Sequence, residues 1–120
     1  MVNYKLLSKI ADTKKTIIMS VGMANLSEIE EAFKILNNKT KNLAILHCIS
    51  AYPTKEEDAN LSAVYTLKEK FDCVIGQSDH TNGIVVPLYA VATGAQIIEK
   101  HYKIDENMNC VDAPVSISEE

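Results

Sequence analysis

The sequence has no Cys-x-x-Cys pair, no glycine-rich phosphate loop, and no apolar run near the ~20 residues that a membrane span needs. Its three cysteines, Cys48, Cys73 and Cys110, are odd in number and widely spaced, which argues against a disulfide framework and a structural zinc site. Reduced thiols are expected. Gly22 and Gly83 are isolated, so neither G-x-G-x-x-G nor a P-loop occurs and a dinucleotide-binding fold is disfavoured. There is no G-x-S-x-G elbow of the kind that supports an acyl-transfer triad. Twelve basic residues stand against sixteen acidic ones, for a net charge of -4, and no Lys/Arg cluster is interleaved with aromatics. Nucleic acid is therefore not an expected partner. Met1 to Lys15 lacks the apolar core of a signal peptide, so the expectation is a cytoplasmic protein with no membrane partner. Only four Gly and three Pro interrupt a chain that is 47% hydrophobic and 23% charged, an ordinary globular balance. At 120 residues it is one domain, able to bury roughly two thirds of its unfolded surface.

What is present is a repeating pattern. Tyr4, Leu7, Ile10 and Ala11 recur at helical spacing, and Thr16 to Ser20 reads as a short strand closed by Val21-Gly22-Met23. Ser27 and Glu30 have capping-box spacing ahead of an apolar face made by Ile29, Ala32, Phe33 and Leu36, which Asn37-Asn38 stops. Leu43 to Ile49 is a second strand, followed by a turn at Pro53. Asp58 or Asn60 can cap the next helix, through about Phe71, with Leu61, Val64, Tyr65 and Leu67 or Lys68 on or beside its inner face. Val74 to His80 is a third strand. Asn82-Gly83 leads into another helix that tolerates Pro87 only near its first turn, and Gly94 ends it. Gln96 to His101 is a fourth strand, and a polar loop begins at Asp105.

Strands that alternate with helices predict βα units and a parallel sheet, with right-handed crossovers. A closed eight-stranded barrel takes ~250 residues. This chain has half that length and half the strands, so it reads either as a half-barrel or as a four-stranded open sheet.

Val74-Ile75-Gly76-Gln77-Ser78-Asp79-His80 starts apolar and ends in four polar residues, as a buried strand does when its tip opens into a site. Ile97-Ile98-Glu99-Lys100-His101 repeats the plan. Side chains alternate along a strand, so Ser78 shares a face with His80 and Glu99 with His101; on neighbouring strands the two imidazoles can converge on one metal or substrate. His47 lies deeper in its strand and reads as structural. Asp79 and Asp112 are candidate acids, bases or hydroxyl binders, each weighed against a cap, a turn or a supporting contact. Ser20, Ser50, Tyr52 and Ser78 stand at or just past strand tips, where they can bond a sugar or phosphate.

The wording of the chain goes further. Ser20-Val21-Gly22-Met23-Ala24 with Ile29-Glu30-Glu31-Ala32, then Leu46 to Thr54, Glu57 to Leu61, Gly76 to Thr81, Ile98 to Tyr102 and Val111 to Ser116 resemble, in order, motifs of the sialic acid synthase family. That family, the N-acetylneuraminate synthases, includes legionaminic and pseudaminic acid synthases. The resemblance implies a (β/α)8 TIM barrel and condensation of phosphoenolpyruvate with an N-acyl hexosamine such as N-acetylmannosamine, giving a nonulosonic acid and phosphate. It implies a divalent metal, manganese first with magnesium or cobalt as substitutes, held by His80 and His101. It further implies phosphate or substrate contacts at Ser78 and Ser20, and amino-sugar contacts at Tyr52 and Asp112. Ser50 stands where some members carry Asn, as would suit another N-acyl sugar.

By the same resemblance the chain carries strands five to eight only. The earlier strands, which supply an acidic residue and lysines for phosphoenolpyruvate, have no counterpart, and nor does the C-terminal antifreeze-like domain. The expectation is a fragment or split product that works as a homo-oligomer or with a complementing half-barrel. The alternative is a non-catalytic, self-associating half-barrel with an inherited metal site.

Overall fold

Residue parity divides the sheet. In the computed structural model, which describes residues 3–119, Ile17, Met19, Val21, Leu43, Ile45 and Ile75 enter one buried cluster with Ile29, Ala32, Leu36, Val64, Leu67, Phe71 and Ala90 from the helices. The start of the N-terminal stretch, Met1 and Val2, lies outside the described residues, as does Glu120. The core-forming positions of the first three strands are odd-numbered, and in the fourth strand, where parity reverses, Ile98 packs against the same cluster, so the helices cover one face. Even-numbered residues such as Ile18, Ser20, Cys48, Ser78 and His80 belong to the other.

The elements run α1 (Tyr4–Ala11), β1 (Ile17–Ser20), α2 (Leu26–Asn37), β2 (Leu43–Cys48), a 3-10 turn at Glu56–Asp58, α3 (Ser62–Lys70), β3 (Val74–Asp79), α4 (Val85–Ala92), β4 (Ile98–Lys100) and a second 3-10 turn at Ala113–Val115. The strands pair in parallel in the order β1-β2-β3-β4. A doubly wound sheet reverses its order and carries helices on both faces. Sequential order with helices on one face is instead half of a (β/α)8 barrel, which settles the two architectures left open by the sequence. β2, at the centre, is buried along Leu43–His47, whereas the edge strand β1 alternates between buried and exposed.

Local chemistry corrects some expected boundaries. The capping box of α2 is formed by Asn25 and Glu28, not by Ser27 and Glu30. The extended backbone of Asn25 starts the helix earlier, its Oδ1 accepts from the Glu28 N–H at 3.0 Å, and Glu28 accepts from the Asn25 N–H at 2.9 Å. Neither Asp58 nor Asn60 caps α3. Asp58 closes the 3-10 turn, and Asn60 sits at φ 46° with its Oδ1 accepting from the Ser62 hydroxyl at 2.8 Å. Tyr65 faces outward, 61% exposed, while Val64 and Leu67 make the inner face. Pro87 falls in the first turn of α4. Gly94, at φ 106°, ends that helix in a Schellman motif, with Gly94 N–H donating to Val91 O and Ala95 N–H to Ala90 O, each at 2.9 Å. The tail folds back, and Ile117 bridges in parallel to Tyr102 just past β4. Among the described residues no helix is long and apolar enough to cross a membrane.

Candidate active site

The site forms where β2, β3 and β4 end. Register places Cys48 beside Ser78 and Ser78 beside Glu99 on the even-numbered face. Ser78 Oγ donates to Glu99 Oε1 at 2.6 Å. One residue pair further on, the His80 and His101 rings lie 5.4 Å apart, inclined by 63°. The two strands are neighbours and their imidazoles meet, as alternation along the strands requires.

His80 is buried, and its Nδ1 lies 2.8 Å from the carbonyl oxygen of Ile49. A carbonyl only accepts, so Nδ1 carries a proton, and in the neutral ring the lone pair then falls on Nε2. Cys48 Sγ is 3.8 Å from the same Nδ1, and burial is the main reason that its thiol titrates above the usual range. Tyr52 stacks on His80 with centroids 4.0 Å apart and meets His101 edge-on at 5.6 Å. The loop carrying Tyr52 includes a cis peptide before Pro53 and is tied to the strand tip by the Thr54 N–H, which donates to His80 O at 2.8 Å.

The returning tail brings Asp112 to His101, with Oδ2 3.6 Å from Nδ1. Asp112 stands at the start of the second 3-10 turn with its side chain 48% exposed, so it flanks the ring and also faces solvent. The Tyr52 hydroxyl is held above its ordinary range, by desolvation first and then by the acidic groups of Cys48, Asp112 and Glu99. These groups share one electrostatic neighbourhood.

The opposite face is structural. His47 Nε2 donates to Ala59 O at 2.8 Å in a buried position, as a structural histidine does. Asp79 is not free to act as an acid or base. Its carboxylate accepts from the Thr81 hydroxyl at 2.9 and 3.0 Å, Gln77 Nε2 at 3.2 Å and Lys100 Nζ at 2.7 Å. Ser20 pairs with Leu46 at the end of β1, three strands from β4, which is about 14 Å along the sheet at ~4.8 Å per strand. It shares the face but not the histidine cluster. Ser50 packs over Gly22, where an added Cβ would lie 2.5 Å from its Oγ. Sequence reasoning did not single out Glu99 or Cys48 as site residues, although both occupy even-face positions at the strand tips.

Two imidazoles, one of them oriented by a backbone carbonyl, suit a divalent metal. A ring centroid sits roughly 3 Å from an ion bound at ~2.1 Å by one ring nitrogen, so a 5.4 Å separation is within the span of a single ion. Among the described residues no group of three or more His, Cys, Asp or Glu could hold a metal. The fit is to a partial ligand set of two rings. Glu99 and Asp112 add negative charge beside the rings, which favours a cation.

Residues 1–120 match the NeuB family along their whole length. The chain belongs to the NeuB family. It is 47% identical over 118 residues to the N,N'-diacetyllegionaminic acid synthase of Campylobacter jejuni, a match covering 96% of this chain and 35% of that protein. The pseudaminic acid synthase of the same species is 42% identical over 109 residues, covering 90% and 32%. The crystal structure of the N-acetylneuraminic acid synthetase of Leptospira borgpetersenii in complex with citrate superposes with a TM-score of 0.93 at 48% identity, over 97% of this chain and 41% of that one. This NeuB chain thus spans about a third of the length of those curated relatives.

Proposed function

We propose that this NeuB chain forms part of a synthase that condenses phosphoenolpyruvate and water with an N-acyl hexosamine, N-acetylmannosamine or a related sugar, to give a nonulosonic acid and phosphate. The convergence of His80, His101 and Tyr52 at the strand tips carries the reading. In the proposal His80 and His101 hold a divalent metal, manganese first. When bound, that metal supplies Lewis-acid polarisation of the sugar aldehyde.

The chain's own residues do the rest of the work on this side of the barrel. Ile49 O fixes the His80 tautomer and so presents Nε2. Tyr52, half-exposed as a residue, packs one side of that ring and offers its hydroxyl to the sugar. Asp112 flanks His101 and keeps carboxylate surface for a sugar hydroxyl. Ser78 is the phosphate-side contact, with Ser20 and Ser50 as further substrate contacts. The Ser78 hydroxyl donates to Glu99, so binding an anion requires it to rotate. The nearby cations are engaged elsewhere: Lys100 pairs with Asp79, and Lys103 with Glu106 at 2.6 Å. Basic groups for phosphoenolpyruvate therefore come, in the proposal, from the other half of the barrel, and catalysis belongs to the completed barrel in the cytoplasm.

A second reading is a self-associating half-barrel without catalysis. It is favoured by apolar surface on α4, where Leu88 is 64% and Tyr89 63% exposed, and by Ile18 at 57% on the uncovered sheet face.

Phosphate release with manganese, phosphoenolpyruvate and N-acetylmannosamine or a related N-acyl hexosamine tests the proposal. It is measured for the chain alone and mixed with the N-terminal half of a NeuB relative. Release that is lost in His80→Ala is the expected result. No release from the completed barrel, or equal release from His80→Ala, contradicts it.

A further inference from the structure

Directly behind the two histidines, on the helix-covered face, lies a buried ion pair. Asp79 precedes His80 and Lys100 precedes His101, and the two are register partners in the β3–β4 ladder. Lys100 Nζ reaches Asp79 Oδ2 at 2.7 Å, with side chains 7% and 1% exposed, and it also donates to the carbonyl oxygen of Thr81. Thus one ammonium grips the residue before His80 and the residue after it. Asp79 is itself held by the Thr81 hydroxyl and Gln77 Nε2.

The ladder alone is a weak clamp. It comprises three pairs, Gln77 with Ile98, Ser78 with Glu99 and Asp79 with Lys100, and both histidines lie one residue past its end. β4 has three residues, so small shifts of its tip move His101 relative to His80. A charge buried in this position is costly unless paired and hydrogen-bonded, and a lone solvent-facing residue would serve β4 without that cost.

We propose that Lys100 and Asp79 are positioning residues, a strap across the back of β3 and β4 that sets the separation and tilt of His80 and His101. This rests on the reading of those histidines as metal ligands. A strap of this kind acts through the ligands it orients, and removing such supporting contacts typically weakens metal binding roughly 10- to 100-fold.

The test is manganese affinity of the purified 120-residue chain, compared among wild type, Lys100→Met, the double variant Lys100→Met/Asp79→Asn, and Val64→Ala. Val64 is a buried apolar residue on α3 that makes none of the strap's hydrogen bonds, and its truncation controls for lost stability. The double variant removes the uncompensated buried carboxylate that could keep Lys100→Met from folding. The expected result is affinity lowered roughly 10- to 100-fold in both strap variants and unchanged in Val64→Ala. Wild-type affinity in a folded strap variant overturns the proposal. If wild type binds no manganese, the ligand reading fails by itself, and the strap is judged on the metal-free protein. Imidazole NMR signals of His80 and His101, and contacts from the Tyr52 ring to both, are then expected to change in the strap variants but not in Val64→Ala. Unchanged signals in the strap variants overturn it.

Discussion

Ser78 Oγ donates to Glu99 Oε1 across 2.6 Å, joining β3 to β4 on the face that carries the histidines. A neutral donor and a partly exposed carboxylate make this a bond of ordinary strength. Ser78→Ala is expected to lower stability by about 1 kcal/mol, seen as a lower urea midpoint with an unchanged slope. A change within error would mean that water replaces the bond.

Gly76 controls how closely the same two strands approach. A Cβ there would collide with the Ile97 carbonyl oxygen and lie 2.7 Å from Leu46 Cδ2 and 2.8 Å from Ile97 Cβ. Because one obstacle is backbone, the strands must part. Gly76→Ala is expected to cost ~1–3 kcal/mol, more than Ser78→Ala, and thermal unfolding of the two variants side by side gives the order.

The α2 cap separates two readings of the same sequence. Asn25→Ala removes the side chain that accepts from the Glu28 N–H and is expected to cost ~1 kcal/mol. Ser27→Ala removes only a hydroxyl that supports Asn25, and is expected to stay within about 0.5 kcal/mol. Chemical denaturation of both variants checks the order, and a larger loss at Ser27 would restore the box first read from spacing.

Cys48 and Cys73 titrate above the ordinary thiol value of 9.0, in both cases chiefly through burial. The folded state therefore favours their neutral thiols. That contribution to stability is fully present below the unfolded thiol pKa and is lost as pH rises through the raised folded values. Stability is expected to fall in the alkaline range, less so in Cys48→Ala. At neutral pH a thiol reagent is expected to modify the exposed Cys110 first, with Cys48 and Cys73 lagging; mass spectrometry of the time course reads the order.

Much of this was legible because parallel βα units write themselves plainly. The buried runs Leu43–His47 and Ile75–Asp79 and the terminating Gly94 fixed strand and helix order, and period-two alternation put Ser78, His80, Glu99 and His101 on one face. Less legible was anything decided by tertiary contact. Asn25 outcompetes Ser27 as cap through its own backbone conformation, and Asn60 adopts a left-handed conformation that no spacing announces. Asp112 reaches His101 on a segment that folds back so that Ile117 pairs with Tyr102, a return across the fourteen residues 103–116. Lys100 drew no separate reading between Glu99 and His101, and it lies buried against Asp79 because β4 turns its even-numbered side to the helices.

The central claim is that His80 and His101 act together on one divalent ion. Manganese binding by wild type, His80→Ala and His101→Ala, followed by the loss of the free-ion electron paramagnetic resonance signal, tests it most directly. The account predicts one ion per site in wild type, with affinity sharply reduced in each variant. Unchanged affinity in both variants would contradict it.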